Sequence, residues 1–371
     1  MAPIWSIQPF KAFYITFLLA RTTAILPWLL VRYSLKSSRA FPEWTLRVCI
    51  VQQVVRQLLR YNTNTRDHDL ASLEADHKKA KERFSLAKPA EASLYTGALD
   101  SGSVKPAAVG GLWYPAPLFE GAPNLEDEKV VLHFPGGAFV MAFGQEAHGR
   151  DVSSVMSQHL KATRTFFAQY RVSTDSSTRF PAALQDVVTF YHYILSLGVK
   201  PHNVLLSGDS AAGNLVIGLL RYLETSSKLP LPKAAMLWSP WVHITAQAGA
   251  DFEACRNFEN EFLISPLLQW GAEAYYPEGQ PTAEELSYIS PLHHPFRTEV
   301  PLFINAGSAE AMFDTVEEFA NQMKAVDGNQ VRFHATEASP HNLIMSYTGL
   351  GFERQMETAA VDAFNFFEQT A

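Results

Sequence analysis

The sequence predicts an α/β fold with a mostly parallel central sheet that is covered by helices on both faces. From about residue 91 onward, short apolar runs typical of strands alternate with longer segments of helical periodicity, which is the pattern of a parallel sheet. Two of the predicted strands end in glycine-rich turns, and polar loops follow two others. In such sheets the functional residues lie at the carboxyl ends of the strands. The predicted strands are residues 108–114, 130–133, 164–170, 204–206, 234–238, 302–306 and 331–335.

The composition argues against several classes of function. The 371 residues are 47% hydrophobic, which is enough for a large core, and the net charge is −7. A nucleic-acid-binding protein usually shows a basic patch, so we expect no nucleic acid partner. The two cysteines, Cys49 and Cys255, provide neither a disulfide framework nor a metal-ligand spacing. With no His-Glu-x-x-His motif either, the sequence predicts no metal site.

Residues 1–65 are predicted to form a hydrophobic, helical segment. Within it, residues 12–31 have the length and apolarity of a membrane span, although Arg21 lies near the middle and Pro27 interrupts the run. Most of the nearby basic residues follow the span, namely Arg32, Lys36 and Arg39. By the positive-inside rule the rest of the chain then faces the cytoplasm. We therefore expect an intracellular protein, with membrane association through residues 12–31 if this segment is an anchor.

The same segment is equally consistent with a helical cap over a catalytic domain. Residues 44–60 show one broad apolar face opposite a polar one, as in a helix that packs on a core. The sequence does not separate an anchor from a cap, and both remain open.

Residues 66–90 are rich in charge and are predicted to form an exposed helix and linker. Residues 91–371 are predicted to form the catalytic domain.

The first candidate catalytic residue is Ser210. An apolar strand ends in Gly-Asp-Ser-Ala-Ala-Gly at residues 208–213, and a helical pattern begins at Leu215. A strand, a tight turn of small residues and a helix expose the central serine, as in a nucleophile elbow. The fifth position of the Gly-x-Ser-x-Gly pattern is Ala212, which is still small. A phosphate-binding loop does not fit, because Asn214 and Leu215 stand where Lys and Ser or Thr are required.

A second glycine-rich loop, residues 133–139, directly follows a predicted strand. Backbone N–H groups of such a loop stabilise the oxyanion that forms when a serine attacks a carbonyl group. We predict an oxyanion hole framed by Gly136, Gly137 and Ala138, with a further N–H from Ala211, the residue after the nucleophile. A Gly-Gly pair alone is common in plain turns, and its significance here comes from the downstream elbow.

A histidine and an acid complete the candidate site. His341 lies in a Ser-Pro-His-Asn loop after the last predicted strand, where a general base for the serine is required. Glu310 lies in the loop after residues 302–306, and Asp314 follows about one helical turn later. We predict that Glu310 orients His341, with Asp314 as the alternative acid. The order Ser210, Glu310, His341 is the order found in α/β-hydrolases.

Together these motifs resemble the hormone-sensitive-lipase-like esterases and lipases of the α/β-hydrolase superfamily. The resemblance covers roughly residues 108–371, and residues 180–186 (FPAALQD) and the apolar N-terminal segment look most like fungal members. It implies an α/β-hydrolase fold with a mostly parallel central sheet, helices on both faces and a helical cap. The cap would be built from the N-terminal helices and residues 245–290. The other motifs on which the resemblance rests are PGGAFV at 135–140, SPW at 239–241, GSAE at 307–310 and PHN at 340–342.

The sequence departs from the family pattern at two positions. The family's His-Gly-Gly-Gly reads Pro135-Gly136-Gly137-Ala138, and its usual aspartate is Glu310. Ala138 keeps an N–H, but its methyl group is expected to narrow the oxyanion hole. The implied cap also brings four N-terminal aromatic residues toward the substrate, namely Trp5, Phe10, Phe13 and Tyr14.

The residues and the resemblance predict a serine carboxylic ester hydrolase that forms an acyl-enzyme on a small hydrophobic ester and needs no cofactor. An alternative keeps the same site for cyclisation or acyl transfer in a natural-product pathway, in line with a bulky apolar substrate. A non-enzymatic hormone receptor is disfavoured, because receptors of this fold have lost the catalytic histidine and His341 is present.

Overall fold

The computed structural model describes residues 3–66, 80 and 82–370. Eight strands form one sheet in the order β1-β2-β4-β3-β5-β6-β7-β8. β1 pairs antiparallel with β2, β2 pairs antiparallel with β4, and the other neighbours are parallel. The strands are β1 (Phe84–Ala87), β2 (Val109–Tyr114), β3 (Val130–Phe134), β4 (Arg164–Gln169), β5 (Val204–Asp209), β6 (Ala234–Trp238), β7 (Leu302–Gly307) and β8 (Val331–Thr336).

The mostly parallel sheet expected from the sequence is therefore confirmed, and β2 to β8 fall on the seven predicted strands within a few residues at each end. β1 is an addition, since it lies inside the segment 66–90 that was predicted to be a linker. Residues 67–79 and 81 of that segment lie outside the described residues.

Helices cover both faces of the sheet. In chain order they are α1 (Phe10–Ser34), α2 (Leu46–Thr65), α3 (Glu146–His159), α4 (Ala182–Ser196), α5 (Ala211–Ser226), α6 (Ala248–Glu253), α7 (Ser265–Tyr275), α8 (Ala283–Ile289), α9 (Phe313–Lys324), α10 (Leu343–Leu350) and α11 (Glu353–Gln369). Apolar side chains of α4, α5 and α9 form the core on one face. Those of α3 and α11 form the core on the other face.

The central strands are apolar on both sides because both faces of the sheet are covered. Along β3, Val131 belongs to the core under α3 and α11, whereas Leu132 belongs to the core under α4 and α5. Leu205 and Leu206 divide in the same way along β5. This alternation follows from the period of two in a strand, and it holds the carboxyl ends of β3, β5 and β7 at one edge of the sheet.

The N-terminal helices form a hairpin over this edge. The Trp44 indole N–H donates to the Ala338 carbonyl oxygen at 2.6 Å, and Arg47 donates to the Thr348 carbonyl oxygen at 2.7 Å. These bonds hold the start of α2 on the loop after β8 and on α10. α1 packs on the outer side of α2, where Arg21 Nη1 donates to Gln57 Oε1 at 2.8 Å. Among the described residues, α1 is the one helix that is long and apolar enough to cross a membrane.

A buried ion pair fixes the loop after β4. Arg171 donates to both carboxylate oxygens of Asp186, the closest contact being 2.7 Å, and the Asp186 side chain is fully buried. Burial raises the pKa of Asp186, against the opposing effect of Arg171. Two residues later, the Ser173 N–H donates to the Phe139 carbonyl oxygen at 2.7 Å. The acidic end of the 180–186 motif therefore supports the glycine-rich loop after β3.

We expect Arg171→Ala to lower the free energy of unfolding by about 3 kcal/mol, because it leaves the buried Asp186 carboxylate without its cation. Urea denaturation of the purified variant measures this change. Arg150→Ala is the matched control, since Arg150 forms an exposed i,i+4 pair with Glu146 and its loss should change stability by less than about 0.5 kcal/mol. Equal effects of the two substitutions would contradict a structural role for the buried pair.

Candidate active site

Ser210 occupies the sharp turn between β5 and α5. Its φ of 52° and ψ of −121° lie in a region that residues other than glycine rarely adopt. Two backbone hydrogen bonds of 2.9 Å hold the turn, one from the Ser210 N–H to the Trp238 oxygen and one from the Trp241 N–H to the Ser210 oxygen. The turn points the Ser210 hydroxyl away from the sheet at its carboxyl edge.

Glycines let two loops approach this turn closely. A Cβ on Gly136 would lie 2.8 Å from the Ser210 Cβ and 2.6 Å from Asp209 Oδ2. A Cβ on Gly307, at the end of β7, would lie 2.1 Å from the Ser339 oxygen. All three distances are shorter than carbon–oxygen or carbon–carbon contact distances. The absence of side chains at these positions brings the loop after β3 and the loop after β8 next to Ser210.

The structure brings Ser210, His341 and Glu310 together in one hydrogen-bonded chain. The Ser210 hydroxyl lies 2.9 Å from His341 Nε2, and His341 Nδ1 lies 2.7 Å from Glu310 Oε2. The Gly307 N–H donates to the other Glu310 oxygen at 3.0 Å. Because Glu310 accepts the Nδ1 proton, Nε2 is free to accept the proton of Ser210.

Asp314, the alternative acid, lies elsewhere. Its carboxylate pairs with Arg256 Nη2 at 3.0 Å, and both side chains are more than half exposed. Asp314 belongs to the first turn of α9, where a negative charge is favourable next to the helix N-terminus. Its contacts are thus those of a surface residue, whereas Glu310 is fully buried against His341.

Three of the four residues predicted to frame the oxyanion hole have N–H groups that are unused. Gly137, Ala138 and Ala211 donate to no acceptor among the described residues. The Gly136 N–H, in contrast, donates to Asp209 Oδ2 at 2.9 Å, so the prediction needs correction at this position. Gly136 supports the loop, and its N–H is not available to an oxyanion.

Ala138 can be accommodated in the loop because the neighbouring Gly271 has no side chain. Ala138 has a φ of 51° and Phe139 a φ of 62°, so both adopt the left-handed region. A Cβ at Gly271 of α7 would come within 2.4 Å of the Ala138 oxygen and 3.1 Å of its methyl group. The missing side chain at Gly271 therefore makes room for alanine where the related pattern has glycine.

Asp209 is a buried junction that sequence reasoning did not identify. Its Oδ1 accepts from His133 Nε2 at 3.2 Å, and its Oδ2 accepts from Asn342 Nδ2 at 2.6 Å as well as from Gly136. The carboxylate thus joins β3, the oxyanion loop and the loop of His341. The sequence pointed to Asp209 only through its position next to the nucleophile in the Gly-Asp-Ser motif.

An apolar cavity of about 300 Å³ lies beside Ser210. Its polar lining consists of Ser210, His341, Asp209, Asn342, Ser346, Gln52 and His148. The rest of its wall is largely aliphatic, aromatic and methionine side chains. Prominent among these are Val51, Val55 and Leu59 of α2, together with Met141, Trp241, Phe262, Leu267, Met312 and Met345.

The cap contacts differ in part from those that the resemblance implied. Phe10 and Phe13 of α1 are exposed, and Trp5 and Tyr14 pack on each other with ring centroids 5.0 Å apart. None of the four lines this cavity. α2 lies between α1 and the cavity, so its valines and leucine take the place expected for the aromatic residues.

Charges around His341 favour its protonated form. Burial alone would lower the pKa of His341, but the hydrogen bond and charge of Glu310, together with the charges of Glu261 and Asp209, outweigh burial and raise it. Ligand atoms of Glu261, Glu310 and His341 lie within 4.8 Å of one another, a spacing that also suits a metal ion. Both His341 nitrogens are already engaged by Ser210 and Glu310, so this arrangement leaves no histidine ligand for a metal.

Comparison with known proteins agrees with this architecture. A family model for the alpha/beta hydrolase fold matches residues 131–345. The acetyl-hydrolase of Streptomyces hygroscopicus is 27% identical over 263 residues, which cover 71% of this chain and 79% of that protein. An esterase of Acinetobacter venetianus is 24% identical over 201 residues, 54% of this chain and 62% of that protein.

The fold also matches a solved structure. The esterase of Pyrobaculum calidifontis superposes with a TM-score of 0.62 at 19% identity, covering 86% of this chain and 97% of that one. Because the family model spans more than half of the sequence, and because the sheet and the serine turn agree with it, the chain belongs to the alpha/beta hydrolase fold family.

Proposed function

We propose that this protein is a serine carboxylic ester hydrolase of the hormone-sensitive-lipase-like group. The observation that carries the proposal is the hydrogen-bonded chain from Ser210 through His341 to Glu310, with unused N–H groups beside it. The relatives named above as an acetyl-hydrolase and an esterase support the same chemistry. A closer tie to fungal members rests on residues 180–186 and the apolar N-terminal segment, whereas those two relatives are bacterial.

The first half of the reaction forms an acyl-enzyme. Ser210 Oγ attacks the ester carbonyl carbon while its proton passes to His341 Nε2. Glu310 holds the Nδ1 proton and balances the charge of the imidazolium. The carbonyl oxygen becomes negative and accepts hydrogen bonds from Gly137, Ala138 and Ala211. When the tetrahedral intermediate collapses, the alcohol leaves with the proton from His341.

The second half of the reaction returns the enzyme to its starting state. His341 removes a proton from water, and the hydroxide attacks the acyl carbon. Collapse releases the carboxylic acid and returns the proton to Ser210. No step requires a cofactor. Cyclisation or acyl transfer in a natural-product pathway, the alternative from the sequence, would use the same residues, and no contact among the described residues favours it over hydrolysis.

The cavity supports a small hydrophobic ester as the substrate. Its volume of about 300 Å³ is at the lower end of the range for small-molecule sites. Apart from the reacting groups, its wall offers mainly apolar contacts. The small volume favours a short or compact acyl group. The apolar wall favours a hydrophobic one, because binding here depends on removing apolar surface from water.

We further propose that α1 attaches the protein to a membrane surface. The side of α1 away from α2 carries no charged residue between residues 12 and 31, and Phe13, Phe17 and Val31 there are at least half exposed. Its inner side packs on α2, so the cap and anchor interpretations are compatible. A groove of about 690 Å³ between the two helices is lined by basic side chains that suit anionic headgroups. These are Arg21, Arg32, Arg39, Arg56 and Arg60.

Ser210→Ala should reduce hydrolysis of p-nitrophenyl acetate or butyrate by on the order of 10⁶-fold, because no other group forms the acyl-enzyme. The purified variant should retain its circular dichroism spectrum and lose labelling by a fluorophosphonate probe. Undiminished turnover in Ser210→Ala would overturn the assignment. A wild-type protein that the probe labels, but that transfers its acyl group to an added alcohol in preference to water, would favour acyl transfer.

Glu310→Gln should lower kcat/KM by about 10⁴-fold, since the amide N–H₂ favours the wrong tautomer of His341. Asp314→Asn, the matched control at the exposed ion pair, should stay within about twofold of wild type. Equal losses in the two variants would contradict the choice of Glu310.

In the wild type, kcat/KM should fall as the pH drops through a value above 6.5, because His341 accepts a proton only when neutral and its pKa is raised.

The double variant Phe13→Glu/Phe17→Glu should bind vesicles of phosphatidylcholine and phosphatidylglycerol at least about 100-fold more weakly, because each phenylalanine contributes about 2 kcal/mol on burial. Cosedimentation measures the bound fraction, and esterase activity should not change. Phe119→Glu is the control, because Phe119 is 66% exposed but lies outside α1. Vesicle binding that is absent in the wild type, or lost equally in the control, would contradict membrane attachment by α1.

A further inference from the structure

We propose that Glu261 is a positioning residue that supplies a second negative charge to the imidazolium of His341. The proposal rests on the function proposed above. Glu261 lies in the segment before α7 and is 1% exposed. One carboxylate oxygen of Glu261, one of Glu310 and a ring nitrogen of His341 lie within 4.8 Å of one another. Neither the serine elbow nor the acid loop contains Glu261, so no catalytic motif in the sequence points to it.

Two backbone N–H groups hold the Glu261 carboxylate in place, although its pKa is raised overall. Its Oε1 accepts from the Phe262 N–H at 2.8 Å, and its Oε2 accepts from the Ala311 N–H at 3.3 Å. Burial raises the pKa of Glu261 and the charge of Glu310 adds to this, whereas His341 and the two N–H donors oppose it. A proton on His341 therefore favours the ionised Glu261 carboxylate, and an ionised Glu261 favours that proton in return.

The same segment also holds the loop of the catalytic acid. Ala311, which donates to Glu261, directly follows Glu310. Asn257 Nδ2 donates to the Ser308 oxygen at 3.0 Å and to the Glu310 oxygen at 3.2 Å. The Phe262 ring meets His341 edge to face, with centroids 6.1 Å apart. Residues 257–262 thus contact both partners of the His–Glu pair.

The charged groups around His341 come from three elements. Glu310 approaches from the loop after β7, Asp209 from the end of β5, and Glu261 from the segment before α7. Arg56 of α2 donates to the Glu261 backbone oxygen, and its guanidinium charge also interacts with the charge of Glu261. With the ring buried among three carboxylates, little solvent screens these charges. Glu261 then adds to the stability of the positive charge that His341 acquires in the transition state.

Glu261→Gln removes the charge while glutamine keeps the size of the side chain and one of its two oxygen acceptors. We expect the pKa of His341, followed by NMR of full-length protein labelled with [13Cε1]histidine, to fall by about one unit. The acid limb of kcat/KM should move to lower pH by the same amount, and kcat on the plateau should fall about tenfold. Glu261→Asp, which retains the charge, should recover most of both effects.

Glu259→Gln is the matched control, since Glu259 is exposed and only two residues away, and it should leave both measurements unchanged. A folded Glu261→Gln protein with the His341 pKa of the wild type would overturn the proposal. If that variant does not fold, the wild type decides: the Glu261 Cδ resonance should shift as His341 titrates, and an insensitive resonance overturns the proposal. The NMR titration requires no turnover, so a wild type without esterase activity would overturn the proposed function but not the role of Glu261.

Discussion

The site depends on one backbone turn that few residues adopt. Ser210, with a φ of 52°, is held there at an expense of about 1–3 kcal/mol, which the buried strand β5 and helix α5 offset. Its geometry is possible because Gly136 has no side chain where the next loop crosses. Once the serine is fixed at the end of β5, the loops after β3, β7 and β8 reach it from the same edge of the sheet. The hydrogen bonds of the site follow from that meeting of loops.

Buried carboxylates are the second organising feature. Asp209, Glu310 and Glu261 all lie within the electrostatic reach of His341, and each accepts at least one backbone N–H. Burying a carboxylate is unfavourable unless hydrogen bonds or a cation compensate. Here the N–H donors hold the carboxylates in place at rest, and the imidazolium of the proposed reaction is the cation that would balance their charge. The burial of these carboxylates is unfavourable for folding, but it positions their charges to stabilise the transition state of the proposed reaction.

The N-terminal hairpin connects this chemistry with the surface of the protein. The inner helix α2 forms part of the cavity wall through its valines and leucine, and Arg56 on the same helix holds the segment of Glu261. The outer helix α1 contributes an uncharged face to solvent. A partner bound to α1, such as the lipid surface proposed above, would lie one helix away from the substrate. One hairpin therefore contacts both the substrate cavity and the segment that places Glu261 beside His341.

Local patterns in the sequence were enough to predict the strands β2 to β8, the serine turn and the loops that carry His341 and Glu310. Each depends on the spacing of apolar and small residues over a few positions, and a parallel sheet necessarily brings the ends of its strands to one edge. Other features depend on distances between residues far apart in the chain. Only the tertiary structure shows that Asp209 occupies the N–H of Gly136, that Arg256 holds Asp314 at the surface, and that Glu261 lies beside His341. The same reason applies to α1, since its apolarity predicts burial in protein or lipid, and only its packing on α2 shows which side remains exposed.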